Sequence, residues 1–198
     1  MKGLIIAVVI IVGLALIGVL IVISGLNKVV TLDEAATKAW SDVENQYQRR
    51  FDLIPNLVET VKGVAGFEKE TYTAVTEARA KVGQIKVTPE MLSDPGAFGK
   101  FQAAQDGLSG ALSRLLVTVE NYPELKASEN FQTLQAQLEG TENRIAVERR
   151  RYNESARRFN TYIRKIPGML WATMRGLTTP KEYFKAAAGA EEAPRVKF

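Results

Sequence analysis

Residues 36 to 64 read ATKAWSDVENQYQRRFDLIPNLVETVKGV, and their spacing decides the fold. Trp40, Tyr47, Ile54 and Val61 fall seven apart, while Ala36, Val43, Leu57 and Val64 hold the second apolar position of the same repeat, with Arg50 interrupting. Val75 and Val82 continue the first series, Ala78 and Ile85 the second, and Glu68 and Thr71 break them. A seven-residue repeat keeps one stripe against its neighbours only if helices supercoil left-handedly, so this stretch belongs to a bundle. Pro55 removes one backbone hydrogen bond but leaves the phase intact, which predicts a kink. Residues 28 to 86 are then expected to form one helix of roughly 88 Å.

Working outward, the same repeat recurs twice. Phe98, Phe101, Leu108, Leu112, Leu115, Val119 and Tyr122 share a seam with only Gln105 polar. Phe131, Leu138, Ile145, Tyr152, Phe159 and Ile166 recur every seven residues, with Thr141, Glu148 and Ser155 as polar breaks at the companion positions. Asp94-Pro95 and Thr88-Pro89 each place a capping side chain before a first-turn proline, Ser128 can cap a third start, and Pro123 and Pro167 punctuate. No run alternates with period two. The fold class expected is all-α, with an N-terminal transmembrane helix continuing into an antiparallel long-helix bundle.

That anchor is Leu4 to Leu26, an uncharged run including Leu14 and Leu20. At about 34 Å it exceeds a hydrocarbon core of about 30 Å. A cleaved signal peptide is disfavoured by the length of the apolar run and by Lys2 standing as the lone preceding charge. No small-xxx-small pair lies within it. Lys28, Lys38, Arg49 and Arg50 follow the run, so the positive-inside rule leans toward a cytoplasmic bundle. The domain boundaries follow: 1–27 anchor, 28–185 bundle, 186–198 flexible tail.

A helix over 97–122 spans only about 40 Å and covers only the distal half of its partner. Trp40, Val43, Tyr47, Phe51 and Ile54 would then stand unpartnered in water, and an exposed apolar stripe calls for burial. Either stems from several copies pack together, or the chain folds back at Pro55 into four shorter helices; self-association through this stem is the expected result, making the chain a homo-oligomer. Composition narrows the chemistry further. Of 198 residues, none is His and none is Cys. That removes the commonest near-neutral proton shuttle and metal ligand, every thiolate nucleophile, and the Glu-x-x-His di-iron helix sites. Asp52 and Glu59, or Glu139 and Glu142, share helix faces, but such pairs are ordinarily solvated. No EF-hand spacing or phosphate-cradling glycine loop occurs. No cofactor, metal or catalytic residue is expected.

Three ordered blocks carry a resemblance. Trp40-Ser41 with Arg49 to Gly63 (RRFDLIPNLVETVKG) is the first, and Tyr122 to Ala127 (YPELKA) with Leu138 to Ile145 (LEGTENRI) the second. The third runs from Arg151-Tyr152-Asn153-Glu154 through Asn160 and Pro167 to Tyr183-Phe184. Together they resemble the LemA family. The resemblance implies a bacterial single-pass protein of the cytoplasmic membrane with an antiparallel helical bundle and no agreed catalytic activity. Phe67 stands where relatives often carry His, and Glu148 where a small residue is usual.

The sharpest charge feature is Arg144, Arg149, Arg150, Arg151, Arg157, Arg158, Arg164 and Lys165 against Glu148 and Glu154. Arg149, Arg150, Arg157, Arg158 and Arg164 are the candidate contacts of an anionic lipid or other anionic ligand; few stacking aromatics accompany them, which argues against nucleic acid. The bland alternative is a solvated face paired across the bundle. Polar residues around Pro55 and at the seam breaks are read as a register-fixing layer, with Asn56 serving backbone groups freed by Pro55 and Arg49 or Arg50 pairing Asp52 or Glu44. After Pro167, the apolar group Met169, Leu170, Trp171, Met174 and Leu177 either caps the bundle or lies on a membrane or partner; with one continuous first helix it is expected far from the anchor, capping the bundle or meeting a partner, whereas a fold-back would bring it near the bilayer. Other membrane proteins complete the expected partner classes.

Overall fold

The structure is a computed structural model that describes residues 2–185; the tail expected over 186–198 lies outside them. Among the described residues there are helices and no strand: α1 Lys2–Lys62, α2 Lys69–Gly83, a 3-10 turn Pro89–Ser93, α3 Pro95–Val119, α4 Pro123–Lys126, α5 Glu129–Arg164 and α6 Gly168–Arg175. The all-α anchor-plus-bundle architecture is as the repeats predict.

The seam of α1 explains its partners. Ala36, Trp40, Val43, Tyr47, Ile54, Leu57 and Val61 are all buried, and α5 supplies the facing row of Phe131, Leu138, Ile145, Tyr152 and Phe159. Residue 50 meets 142 and residue 25 meets 162, so α1 and α5 run antiparallel along almost the whole bundle. Helices α2 and α3 insert as a second antiparallel pair over the distal half, where Ile54, Leu57, Val61, Val75, Leu108, Leu112, Leu115, Phe131 and Leu138 form one core. Asp94 caps α3 by accepting from the amides of Gly96 (2.8 Å) and Ala97 (3.1 Å), as its place before Pro95 predicts.

Two expectations about α1 are corrected. It does not run to residue 86: it ends at Lys62, and the chain reverses through Gly63–Phe67, where Gly66 takes φ +81°, a left-handed conformation open to glycine. The seam breaks at Glu68 and Thr71 mark this turn; Glu68 precedes α2 and is exposed. The phase resumes at Val75 because α2 folds back and presents its stripe to the same core.

Nor is the stem unpartnered. Trp40, Val43, Tyr47 and Ile54 are each at most 6% exposed, and Phe51 is half-buried against Gly83 and Arg79. The cover over Trp40, Val43 and Tyr47 comes from within the chain: α5, the N-terminal turns of α3, Met91 and Leu92 of the 3-10 turn, and Phe184. The reason for expecting these five residues to pack against other copies is thereby removed.

Pro55 lies inside α1, and the helix continues through it. Its missing amide frees the carbonyl of Phe51, one turn back. Arg79 of α2 takes that place: its Nε donates to the Phe51 carbonyl at 3.1 Å, while its guanidinium lies 3.7 Å over the Phe51 ring. Asn56, expected in that role, is exposed. The broken hydrogen bond in α1 thus defines where α2 docks.

The third correction concerns α6. Helix α5 ends at Arg164, which leaves Ile166, expected on the seam, 78% exposed. The chain then turns so that α6 packs on the membrane end of α1, with Val29, Phe159, Ile163 and Ala172 as its core. Tyr162 Oη donates to the Gly25 carbonyl at 3.1 Å. A Cβ at residue 25 would overlap the Trp171 indole, so only glycine admits the ring there. Far from lying remote from the anchor, α6 is seated at its base.

Candidate functional site

Three polar residues that interrupt apolar seams lie close in space. Arg50 of α1 is 1% exposed and sits in the middle of the bundle. Its Nη1 donates to Glu142 Oε1 of α5 at 2.7 Å and to Ser109 Oγ of α3 at 2.5 Å; its Nη2 donates to the carbonyl of Gln105 at 3.3 Å and to the Gln105 side-chain oxygen. Gln105 is the polar break of the α3 seam, and Thr141, one of the three breaks in α5, precedes Glu142 and bonds back to the Gln137 carbonyl at 2.7 Å. The Arg50 guanidinium also lies 5.1 Å from the Tyr47 ring centroid. A buried guanidinium needs its acceptors at a single relative height of three helices, so this layer fixes their register. The pairings expected for Arg50 with Asp52 or Glu44 are replaced by Glu142; Asp52 instead accepts from Gln48 at 2.7 Å.

Next to this layer lies an aromatic cluster. Trp40, Tyr47, Phe98, Phe101 and Tyr152 converge with ring centroids 5.4–6.2 Å apart, and Phe184 inserts among them, stacked 5.8 Å from Trp40 and tilted 4.9 Å from Phe98. Burial pushes the Tyr47 hydroxyl up to about 12, a rise that the nearby Arg149 and Arg50 charges partly oppose, and burial raises Tyr152 as well. Among the described residues, neither hydroxyl has a hydrogen-bond partner.

Phe184 arrives on an extended strap, residues 181–185, that the seams did not announce. Three side-chain amides grip its backbone, each by a reciprocal pair of hydrogen bonds. Asn160 donates to the Lys181 carbonyl and accepts from the Lys181 amide, both at 2.8 Å. Asn153 does the same for Phe184 at 2.8 and 2.9 Å, and Gln102 for Lys185 at 3.0 and 3.2 Å. The Glu182 amide adds a bond to the Leu92 carbonyl at 2.7 Å, and Lys181 pairs with Asp33 of α1 at 2.9 Å. The strap therefore ties α1, α3, α5 and the 3-10 turn together. It explains why Asn153, Asn160 and Tyr183-Phe184 stand among the resemblance blocks.

The expected basic contacts are divided by the structure. Arg149 turns inward, pairing with Asp106 at 3.2 Å and lying 4.5 Å over the Phe184 ring. Arg157 and Arg158 both bond Glu154 at 2.9 Å, and those bonds hold the Glu154 carboxyl down to about 2. Glu148, at a seam break, pairs with Arg151 at 2.7 Å. Arg150 and Arg164 are exposed, with no acidic partner within 4 Å among the described residues. Two adjoining grooves use the outward cations. One of about 590 Å³ runs between α1 and α5 past Lys38, Arg150, Arg151 and Arg158; the other, about 510 Å³, lies nearer the anchor between Lys28, Arg157, Arg158 and Lys165. Among the described residues, no group of three or more metal-capable side chains comes together.

Fold and site together define a class: a helical bundle carried on a helix long and apolar enough to cross a membrane, with a buried arginine bonded to two neighbouring helices at its centre. The LemA family model matches residues 39–198, and the chain belongs to the LemA family. It is similar to the magnetosome protein MamQ of Magnetospirillum gryphiswaldense, 29% identical over 179 residues, covering 82% of this chain and 66% of that protein. It is likewise similar to magnetosome protein MamQ 2 of Paramagnetospirillum magneticum, at 28% with the same coverage, and to protein LemA of Metamycoplasma hominis, at 28% over 63% of this chain and 53% of that one. The chain thus spans about two thirds or less of the length of these relatives. Membrane association is supported by the apolar N-terminal helix together with this kinship.

Proposed function

We propose that this chain is a membrane-anchored, non-enzymatic interaction and scaffolding module of the bacterial cytoplasmic membrane, its bundle on the cytoplasmic side, with homo-oligomer and other membrane proteins as its partner classes. One observation carries the reading: α1 is a single helix of 61 residues, so the apolar segment and the bundle share one rigid axis. By helical rise that axis is about 92 Å long. Such a mounting presents surfaces at set distances along one axis and moves them with the anchor as one body, which is what a scaffold requires. The polar layer supports the same reading, since Arg50 is enclosed and both terminal nitrogens of its guanidinium bond inside the bundle. Partner contacts in this reading use exposed positions such as Asp52, Glu77 and Glu139 rather than the buried stem. Photo-crosslinking residues at those three positions, activated in intact membranes and followed by mass spectrometry, test it. Reproducible adducts to a second copy or to another membrane protein are expected; un-crosslinked monomer at all three sites would overturn the interaction reading.

A second reading, anionic-ligand binding by the α5 face, is favoured by one feature. Because α5 runs antiparallel to α1, its basic C-terminal turns lie toward the anchor, and Arg157, Arg158, Arg164 and Lys165 come near the place where a lipid surface would be. Arg150 extends the face away from the membrane. Co-purified lipid that changes with Arg158→Gln and Arg164→Gln is the expected signature; identical lipid content would remove this reading.

A further inference from the structure

The corner between α5 and α6 exposes a group of large apolar side chains that packing inside the chain does not use. Ile166 is 78% exposed, Met174 64%, Leu170 53% and Met169 46%. Leu170 and Met174 are four residues apart on α6 and share one of its faces, while Gly168 and Ala172 on the other are buried; Ile166 stands exposed in the turn just before the helix. Elsewhere in the bundle exposed large apolar residues are few, Val117 and Tyr183 being the others. The corner also carries cations: Arg164 and Lys165 precede it, Arg175 ends it, and Lys28 lines the adjoining groove with Lys165 and Ile166.

Position supplies the occupant. The exposed apolar stretch of α1 runs from Leu4 to Ile23, and Gly25 is the first buried residue of the helix. Twenty residues of helix rise about 30 Å, the thickness of a hydrocarbon core, and Gly25 follows about 3 Å beyond. The polar interfacial zone extends roughly 5–7 Å past that core on each side. Trp171 and Tyr162 both contact Gly25, so α6 is held at headgroup depth. Tyr and Trp favour that depth, where one end of the ring is apolar and the other hydrogen-bonded. An apolar face flanked by Lys and Arg at this level matches the layout of a helix lying in the interface.

We propose that the α5–α6 corner is a second membrane contact: Ile166, Met169, Leu170 and Met174 enter the boundary between headgroups and acyl chains beside the anchor, and Lys28, Lys165 and Arg175 meet the phosphates of anionic lipids. The proposal rests on the anchor spanning the same bilayer. Its consequence is that the bundle is fixed at two points, the α1 axis and a foot beside it, so the body is held in rotation as well as in height.

The chain has no cysteine, so single cysteines at Leu14, Val117, Leu170 and Met174 can each carry a fluorophore on the otherwise native full chain. Each labelled protein is reconstituted in nanodiscs of phosphatidylcholine, with and without phosphatidylglycerol, containing lipids spin-labelled near the headgroup or deep in the chain. The expected result is several-fold stronger shallow quenching at Leu170 and Met174 than at the equally apolar but distal Val117, with Leu14 quenched from the deep position. Phosphatidylglycerol should strengthen the shallow quenching, and the double variant Lys165→Gln with Arg175→Gln should abolish that gain. Quenching at Leu170 and Met174 no greater than at Val117, with Leu14 still quenched, would overturn the second contact while leaving the anchor in place. Loss of quenching at Leu14 would overturn the anchor and the foot together. Shielding of Leu170 from aqueous iodide without lipid quenching would show a protein surface there and overturn the lipid assignment, and indifference to phosphatidylglycerol would overturn the phosphate contacts.

Discussion

Removing either end of the Arg50–Glu142 pair should destabilise the bundle unequally, and the structure says which end costs more. Arg50 is 1% exposed, whereas the Glu142 side chain is 36% exposed. Glu142→Leu strands a cation in the bundle interior with only Ser109 and Gln105 as neutral acceptors. Breaking a buried pair in this way costs about 3–5 kcal/mol. Arg50→Met leaves a carboxylate that water can reach, together with the buried oxygen of Gln105, whose lost bond costs about 1–3 kcal/mol. The triple variant Arg50→Met, Gln105→Leu, Glu142→Leu removes charges and orphaned acceptors together, and replacement of a buried ionic cluster by apolar groups is often neutral or stabilising. Urea unfolding of the full chain in detergent, followed by fluorescence of Trp40 beside the layer and by helical circular dichroism, measures all three. The expected order of stability is triple variant at or above the native chain, then Arg50→Met, then Glu142→Leu. A larger loss for Arg50→Met than for Glu142→Leu would refute the argument that enclosure of the cation sets the energetics.

Other consequences are as definite. Arg79→Met should cost about 1–2 kcal/mol by freeing the Phe51 carbonyl and the ring contact, and Pro55→Ala should recover part of that loss in a double-mutant cycle, because alanine at that position restores the amide. Phe184→Ala should cost about 3–5 kcal/mol and admit protease near residue 181, since its ring fills the aromatic cluster and anchors the strap. Gly25→Ala should expel Trp171 from α1 and shift its fluorescence, whereas Gly13→Ala and Gly18→Ala, where a Cβ meets nothing within 4 Å, should not. At alkaline pH the folded Tyr47 stays protonated up to about 12 while the unfolded chain ionises from its ordinary value of 10.0. That contribution is whole below pH 10 and is lost as pH rises toward 12, about 3 kcal/mol for two pH units. Tyr47→Phe should flatten this dependence in a pH-resolved melt and leave stability at pH 7 unchanged or higher, because the buried hydroxyl it removes has no partner among the described residues.

The bundle was legible because burial along α1, α3 and α5 follows one period: most residues placed on a seam are buried, with Val64, Ala78, Val82, Ile85 and Tyr122 half-buried and Ile166 exposed. Arg50, Gln105 and Thr141 stand out in that pattern as interruptions, yet not as neighbours: Arg50 and Glu142 are 92 residues apart, and a repeat carries no information about the relative height of separate helices. The reversal after Lys62 escaped for a related reason. A hairpin that returns its stripe to the same core restores the phase, so Val75 and Val82 look like continuation, and only Gly63, Gly66 and the breaks at Glu68 and Thr71 betray it. Once α1 is shortened, α6 comes to the membrane end and the stem is covered. The strap left still less trace, because Asn153, Asn160 and Gln102 bind backbone, and backbone has no sequence signature.

In the membrane-anchored reading proposed above, the unbroken course of α1 from its apolar segment into the bundle makes the protein a lever. From Gly25 to Lys62 the helix extends about 55 Å away from the hydrocarbon core, so tilting its base by about 10° sweeps the distal tip through roughly 10 Å. Transmembrane helices tilt in response to the thickness of the bilayer that surrounds them. A change in local thickness of a few ångströms at one end is thereby enlarged at the other, where α4 and the turn after Lys62 meet whatever stands opposite.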